Sequence, residues 1–139
     1  SVKNKEIEFE NKLYGFDISN AMIRKAEKNI EICDLGVDIE VVKKDFLSSE
    51  KTDVDKLHIL INPPYDKRIS TDANELYKKI GDTLKNNYLF SDVWLISANL
   101  EAIKSIGLRS NKKIKLFNSN LESRLLNYNI YPGSKKNRA

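Results

Sequence analysis

An α/β fold built on a mostly parallel sheet is predicted by three features of the sequence. Short apolar runs alternate with amphipathic stretches along most of the chain. One run, Leu57-His58-Ile59-Leu60-Ile61, leads straight into Asn62-Pro63-Pro64-Tyr65. Asp17, Asp45 and Asn62 each stand where an early apolar run ends. Alternation of strands with helices implies parallel strands with helices on the sheet faces.

Taken in order, residues 1–12 are polar and charged and form a loose lead-in. Residues 13–16 read as a short strand ended by Asp17. Ser19 is the expected N-cap of a helix running to about residue 34, with Gly36 just past its end. Met22, Ala26 and Ile30 recur at helical spacing, and Ile23 and Cys33 widen the stripe toward the core, so Cys33 reads as a small buried hydrophobe. Residues 39–43 form a second strand ending near Asp45 and Phe46, followed by a polar connection over 47–56. The run 57–61 suits a strand buried on both faces. His58 inside it lies well away from the end of the strand and is expected to be packed and hydrogen-bonded.

Two prolines cannot continue a central strand, so this one stops at Asn62. Asp72 with Glu75 three residues on suggests a capping box, and Leu76, Ile80 and Leu84 carry a helix to about residue 87, which Gly81 weakens without breaking. Residues 93–96 make a fourth buried strand in which Trp94 is core. Residues 99–106 form a short helix stopped by Gly107. Residues 113–117 and 121–128, joined by Asn118-Ser119-Asn120, alternate as a hairpin and place an antiparallel strand near an edge.

A length of 139 residues bounds the chain at one domain, taken as residues 1–139. Hydrophobic residues at 40% and charged ones at 32% describe a globular chain with a modest core. No apolar stretch reaches membrane-spanning length, so no membrane partner is expected. The single Cys33 rules out an internal disulfide framework and fits a reducing, cytoplasmic setting. One His and one Cys leave too little for a zinc site, and no metal is expected. A net charge of +4, with Lys112, Lys113 and Lys115 and a tail of Lys135, Lys136 and Arg138, permits a polyanionic partner without requiring one. The chain opens at Ser1, as a processed or excised piece would.

Strand ends in a parallel sheet line up along one edge, and ligands bind there. Asp17, Asp45 and Asn62 are therefore expected to face one crevice. An acid at the end of an early strand commonly accepts both hydroxyls of a ribose, and a second acid one strand over could accept an adenine amine. The Asn62 amide oxygen can accept a proton from an amine, and the prolines leave carbonyl oxygens free to accept as well. Tyr65 offers a flat face for stacking. Such a group holds a planar amine by its hydrogens and aims the nitrogen lone pair at an electrophile. The competing reading of Asn-Pro-Pro-Tyr is a turn that merely terminates the strand.

On these residues the chain resembles the class I S-adenosylmethionine-dependent methyltransferases that carry an Asn-Pro-Pro-Tyr motif. It is most similar to the RNA guanine-N2 methyltransferases whose catalytic domain follows a THUMP RNA-binding domain. The resemblance spans residues 13–18, Lys44-Asp45-Phe46, Asn62-Pro63-Pro64-Tyr65, the late hairpin and Tyr131-Pro132-Gly133. It implies a Rossmann-like methyltransferase sheet and S-adenosylmethionine as cofactor. Asp17 would bind the ribose hydroxyls beside Ile18, Asp45 would hold the adenine amine, and Phe46 would pack next to it. Asn62 and the carbonyl of Pro63 would grip the target amine, with Pro64 completing the turn and Tyr65 stacking on the base. Lys67 and Arg68 could contact phosphates of the RNA. Asp66 departs from the glycine that often follows the tetrapeptide.

Flipping a paired base costs a few kcal/mol, and one aromatic stack returns about 1–3 kcal/mol. A looped or unpaired nucleotide of rRNA or tRNA is therefore the expected target. None of the five glycines lies in a Gly-rich loop of the kind that follows the family's first strand. The family's first strand runs between the strands at 13 and 57, so the chain reads as a methyltransferase domain without its N-terminal part, with any THUMP domain upstream. Alone it is expected neither to bind cofactor well nor to fold stably. Two other readings use the same residues. One is a relative acting on DNA adenine or a protein glutamine amide. The other is a non-enzymatic α/β module that binds nucleic acid.

Overall fold

The computed structural model describes residues 8–52, 56–64 and 70–133, together with the backbone but not the side chains of Ser70 and Thr71. The elements follow the predicted order: β1 (Leu13–Asp17), α1 (Asn20–Ile32), β2 (Ile39–Lys43), a 3-10 turn (Phe46–Ser48), β3 (Leu57–Ile61), α2 (Ser70–Asn87), β4 (Ser91–Ser97), α3 (Leu100–Ile103), β5 (Lys112–Asn118) and β6 (Leu121–Asn129). They divide into two compact units, one ending at Phe46 and one beginning at Leu47.

In the first unit β1 and β2 pair in parallel, from Leu13 opposite Ile39 to Asp17 opposite Lys43, with α1 as the crossover. Ser19 caps α1 as expected, its hydroxyl accepting the Met22 N–H at 3.4 Å. Three details differ. The buried residue of α1 is Ile23, with Ala26 and Ile30 half-buried, while Met22 is 49% exposed. The stripe thus keeps Ile23, Ala26 and Ile30 of the predicted one and loses Met22 and Cys33, because a helix lying on two strands covers only a narrow line. Cys33 is exposed, serving as the C-cap whose N–H bonds the Asn29 carbonyl, and is not a buried hydrophobe. The left-handed residue after the helix is Asp34, at φ 57°, in place of Gly36; a short Asp tolerates that conformation.

The second unit holds a four-stranded sheet in the order β3-β4-β6-β5. β3 and β4 are parallel, Leu57 opposite Ser91, while β6 runs antiparallel to both β4 and β5. The β5–β6 hairpin closes through Ser119 and Asn120, with Ser119 at φ 57°. Its last strand lies inside the sheet, so β5 takes the edge. Val93, Leu95, Leu126 and Tyr128 are buried on one face, as is the α2 stripe Ala73, Tyr77, Ile80 and Leu84. Full burial of each large side chain contributes roughly 1.5–3 kcal/mol.

Gly81 interrupts that helix for a reason of packing. A Cβ there would stand 1.8 Å from the Ile106 carbonyl oxygen, so α2 and the end of the α3 segment approach through the missing side chain. Gly107 takes φ 73° and ends that segment as predicted. α2 starts at Ser70, two residues before the expected cap, so Asp72 lies in the first turn and faces the positive end of the helix dipole.

β3 is not buried on both faces. Leu60 is 75% exposed and His58 is exposed, while Leu57, Ile59 and Ile61 are half-buried. As an edge strand it is covered on one face only. His58 is correspondingly not packed, although its Nδ1 lies 3.4 Å from Asp92 Oδ2. Trp94 is half-buried on the less covered face of β4, where core burial was expected. Among the described residues β1 and β3 are neighbours in neither sheet, the place where the resemblance puts a further strand.

Candidate functional site

At the carboxyl end of β3 the chain turns through Asn62, which is exposed, Pro63, which is buried, and Pro64, which is exposed. The turn is anchored from the core. Tyr77, fully buried on α2, donates its phenolic proton to the Pro64 carbonyl at 3.3 Å. The same oxygen lies 2.5 Å from Ser97 Oγ at the carboxyl end of β4. Ser97 Oγ also accepts the Asn99 N–H at 3.0 Å, and Asn99 in turn caps α3 by accepting the Ala102 N–H at 2.9 Å. One polar chain thus ties the end of β3 to the end of β4. The Pro64 carbonyl is engaged, which the sequence reading had left free.

At the carboxyl ends of β1 and β2 the arrangement is more open. Asp17 accepts the Ser19 N–H on Oδ1 at 2.8 Å, and its backbone carbonyl accepts the Lys44 N–H at 3.0 Å. The first bond shapes the entry to α1 and the second aligns the two strand ends. Oδ2 of Asp17 has no protein partner among the described residues. Ile18 beside it is 68% exposed, Asp45 is exposed and Phe46 is half-buried. Lys44 Nζ sits 5.0 Å above the Phe16 ring, a cation–π contact. This donor set fits the adenosine part of a nucleoside cofactor: carboxylates for hydroxyl and amine donors, apolar side chains for the ring.

Of the residues that the sequence reading gathered at one crevice, the structure describes Asp17, Ile18, Asp45 and Phe46 in the first unit and Asn62, Pro63 and Pro64 in the second. Tyr65, Lys67 and Arg68 lie outside the described residues. Tyr77, Ser97 and Asn99 were missed, although Ser97 obeys the rule that found the others, a polar residue closing an apolar strand. A concavity of about 400 Å3 lies elsewhere in the first unit, between the end of α1 and the start of β2. Its lining includes Glu27, Glu31, Asp34 and Glu40, and it opens at the amino end of β2, away from the carboxyl edge where α/β sheets bind ligands. Among the described residues no group of three or more His, Cys, Asp or Glu could hold a metal, and no helix is long and apolar enough to cross a membrane.

Known proteins share this architecture. Residues 1–127 match the family model "UPF0020: RMKL-like, methyltransferase domain". The chain is 32% identical over 121 residues to slr0064 of Synechocystis sp., whose name offers it as an RNA methyltransferase; the match covers 86% of this chain and 31% of that protein. It is 31% identical over 128 residues to the ribosomal RNA large subunit methyltransferase K/L of Psychromonas ingrahamii, covering 88% of this chain and 17% of that one. The crystal structure of "a possible methylase from Clostridium difficile 630" superposes with a TM-score of 0.78 at 28% identity, over 88% of this chain and 32% of the other. The chain therefore spans a third or less of the length of these relatives. The α/β fold with a mixed sheet is that of Rossmann-like methyltransferases, and the chain belongs to the RMKL-like methyltransferase domain family.

Proposed function

We propose that this chain is the catalytic part of an RNA methyltransferase that moves a methyl group from S-adenosylmethionine to the exocyclic N2 amine of a guanine in rRNA or tRNA. The observation that carries the reading is the turn at the end of β3. Asn62 is presented to solvent while Pro63 is buried behind it and Pro64 is held from the core. The names of the relatives, an rRNA methyltransferase among them, support RNA as the substrate.

Methyltransferases of this family take S-adenosylmethionine, whose sulfonium carbon arrives already activated, so position matters more than acid or base. Asp17 would accept the ribose hydroxyls and Asp45 the adenine amine, with Ile18 and Phe46 against the ring. Asn62 Oδ1 and the Pro63 carbonyl would accept hydrogens of the guanine amine and offset the positive charge that develops on nitrogen. The bound cofactor would supply a methyl group whose departing C–S electron pair stays on sulfur, and these residues would hold the amine in line with it. The extra amine proton then leaves to water, since an amide oxygen is too weak a base to keep it. Tyr65 would stack on the base, and Lys67 and Arg68 would meet phosphates. Contacts to the methionine part of the cofactor, and a THUMP RNA-binding domain, would come from the rest of the protein, which would work in the cytoplasm.

The test is methyl transfer from labelled S-adenosylmethionine to unmodified ribosomal RNA and tRNA by the full-length protein and its Asn62→Ala variant. We expect labelled N2-methylguanosine from the first, and a rate about 10²–10³-fold lower from the second, with RNA affinity unchanged. Equal rates would sink the reading. Label confined to DNA or to a protein glutamine would replace guanine as the substrate.

A further inference from the structure

We infer that Tyr77 and Ser97 are positioning residues for this transfer, holding the Asn62–Pro64 turn in its reactive shape through the Pro64 carbonyl. The inference rests on the reading just given, and its chemistry is local. The pyrrolidine rings fix φ at both Pro63 and Pro64 near −65°. What remains free is ψ, and the bond from Tyr77 to the Pro64 carbonyl fixes the peptide plane that follows.

Tyr77 donates to the Pro64 carbonyl. The phenolic oxygen and Ser97 Oγ are bonded to each other, with either able to donate, and Ser97 Oγ also accepts the Asn99 N–H. Stability alone does not call for the bond to Pro64. That residue is exposed, so water could serve its carbonyl, and a Phe at position 77 would fill the same core volume.

The far end of α2 supplies an internal control. Tyr88, also buried, lies 2.5 Å by its hydroxyl from Ser49 Oγ, another buried serine. The two pairs have the same groups and the same separation, but Tyr88 stands one residue past the end of α2, about 16 Å along the helix axis from Tyr77. A purely structural role predicts equal consequences for removing either hydroxyl. A positioning role predicts that they differ.

The experiment compares Tyr77→Phe, Ser97→Ala and Tyr88→Phe in the full-length protein by kcat and KM for RNA, urea unfolding, and amide exchange of Ile61 and Asn62. All three should lose stability to a similar degree. Tyr77→Phe and Ser97→Ala should lower kcat about tenfold, the size expected for one misplaced hydrogen bond, with KM within twofold of wild type. Both should also speed exchange at Asn62. Tyr88→Phe should do neither. Should Tyr77→Phe fold poorly, Ser97→Ala carries the same test from a smaller side chain.

Unchanged exchange at Asn62 in Tyr77→Phe and Ser97→Ala overturns the inference whatever the activity. So does faster exchange with unchanged kcat. A wild-type protein that exchanges as described but methylates no RNA would instead remove the proposed function, because exchange reads the turn without reference to turnover.

Discussion

The unit ending at Phe46 and the unit beginning at Leu47 hold their proposed site residues by different physics. In the first, Ile23 is the one buried residue among those described, and β1 is exposed along nearly its whole length. Asp17 keeps its place through its carboxylate, which accepts the Ser19 N–H, and its carbonyl, which accepts the Lys44 N–H. In the second, Tyr77, Leu84, Val93, Leu95 and Ala102 are completely covered. The Asn62–Pro64 turn hangs from that dry core through Tyr77. A change of packing should therefore reach the second cluster and leave the first alone, whereas a change of side-chain chemistry at the first should act on the ligand with little effect on folding.

The two units can be set against each other with one substitution made twice. Gly81→Ala would drive a methyl group into the Ile106 backbone and should cost about 3 kcal/mol. Gly36→Ala, where a Cβ meets nothing within 4 Å, should leave stability unchanged or raise it by less than about 1 kcal/mol. Urea midpoints of the two variants decide it, and equal losses would erase the contrast.

A smaller effect is expected from Asp17→Ala. Cofactor affinity of the full-length protein should fall about tenfold, near 1.4 kcal/mol. The unfolding free energy should move by about 1 kcal/mol or less, the value of the lost bond to the Ser19 N–H. Titration calorimetry beside urea unfolding separates the two. A large stability loss would mean that Asp17 holds the first unit together.

The smallest effect shows only in alkali. Burial pushes the Tyr128 phenol well above its ordinary value of 10. The unfolded phenol gives up its proton above about pH 10 and the folded one does not. Its stabilising share is therefore complete below pH 10 and is lost as pH rises beyond it, by up to about 1.4 kcal/mol per pH unit. Tyr128→Phe should flatten that part of the stability curve, and coincident curves for the two proteins above pH 10 would contradict it.

Much of this was legible in the sequence, and the reasons are specific. β2 and β3 fall on the predicted residues because apolar runs set them and prolines stop one of them. The positions of Asp17, Asp45 and Asn62 at or just past strand ends followed from one rule. What the sequence hid was non-local. Tyr77 lies beside the predicted stripe of Leu76, Ile80 and Leu84 and carries no local signal, since its partners Pro64 and Ser97 lie 13 and 20 residues away. Gly81 reads as a weakness, because the carbonyl that needs its empty space belongs to Ile106. Leu60 reads as core, since an apolar run does not reveal which face of a sheet is covered. The loss of Met22 and Cys33 from the α1 stripe has the same origin: periodicity marks the face, and the neighbouring strands decide how much of it is covered.

The two borders of the four-stranded sheet are unequal in one further respect. β5 carries Lys112, Lys113 and Lys115, all exposed, along its length. β3 offers Leu60 at 75% exposure and no lysine or arginine. A second strand approaching β5 must crowd three ammonium groups, while one approaching β3 meets an unguarded ladder. The lysines guard β5 against a second strand, and the unguarded border is the one beside which the resemblance places a further strand of the sheet.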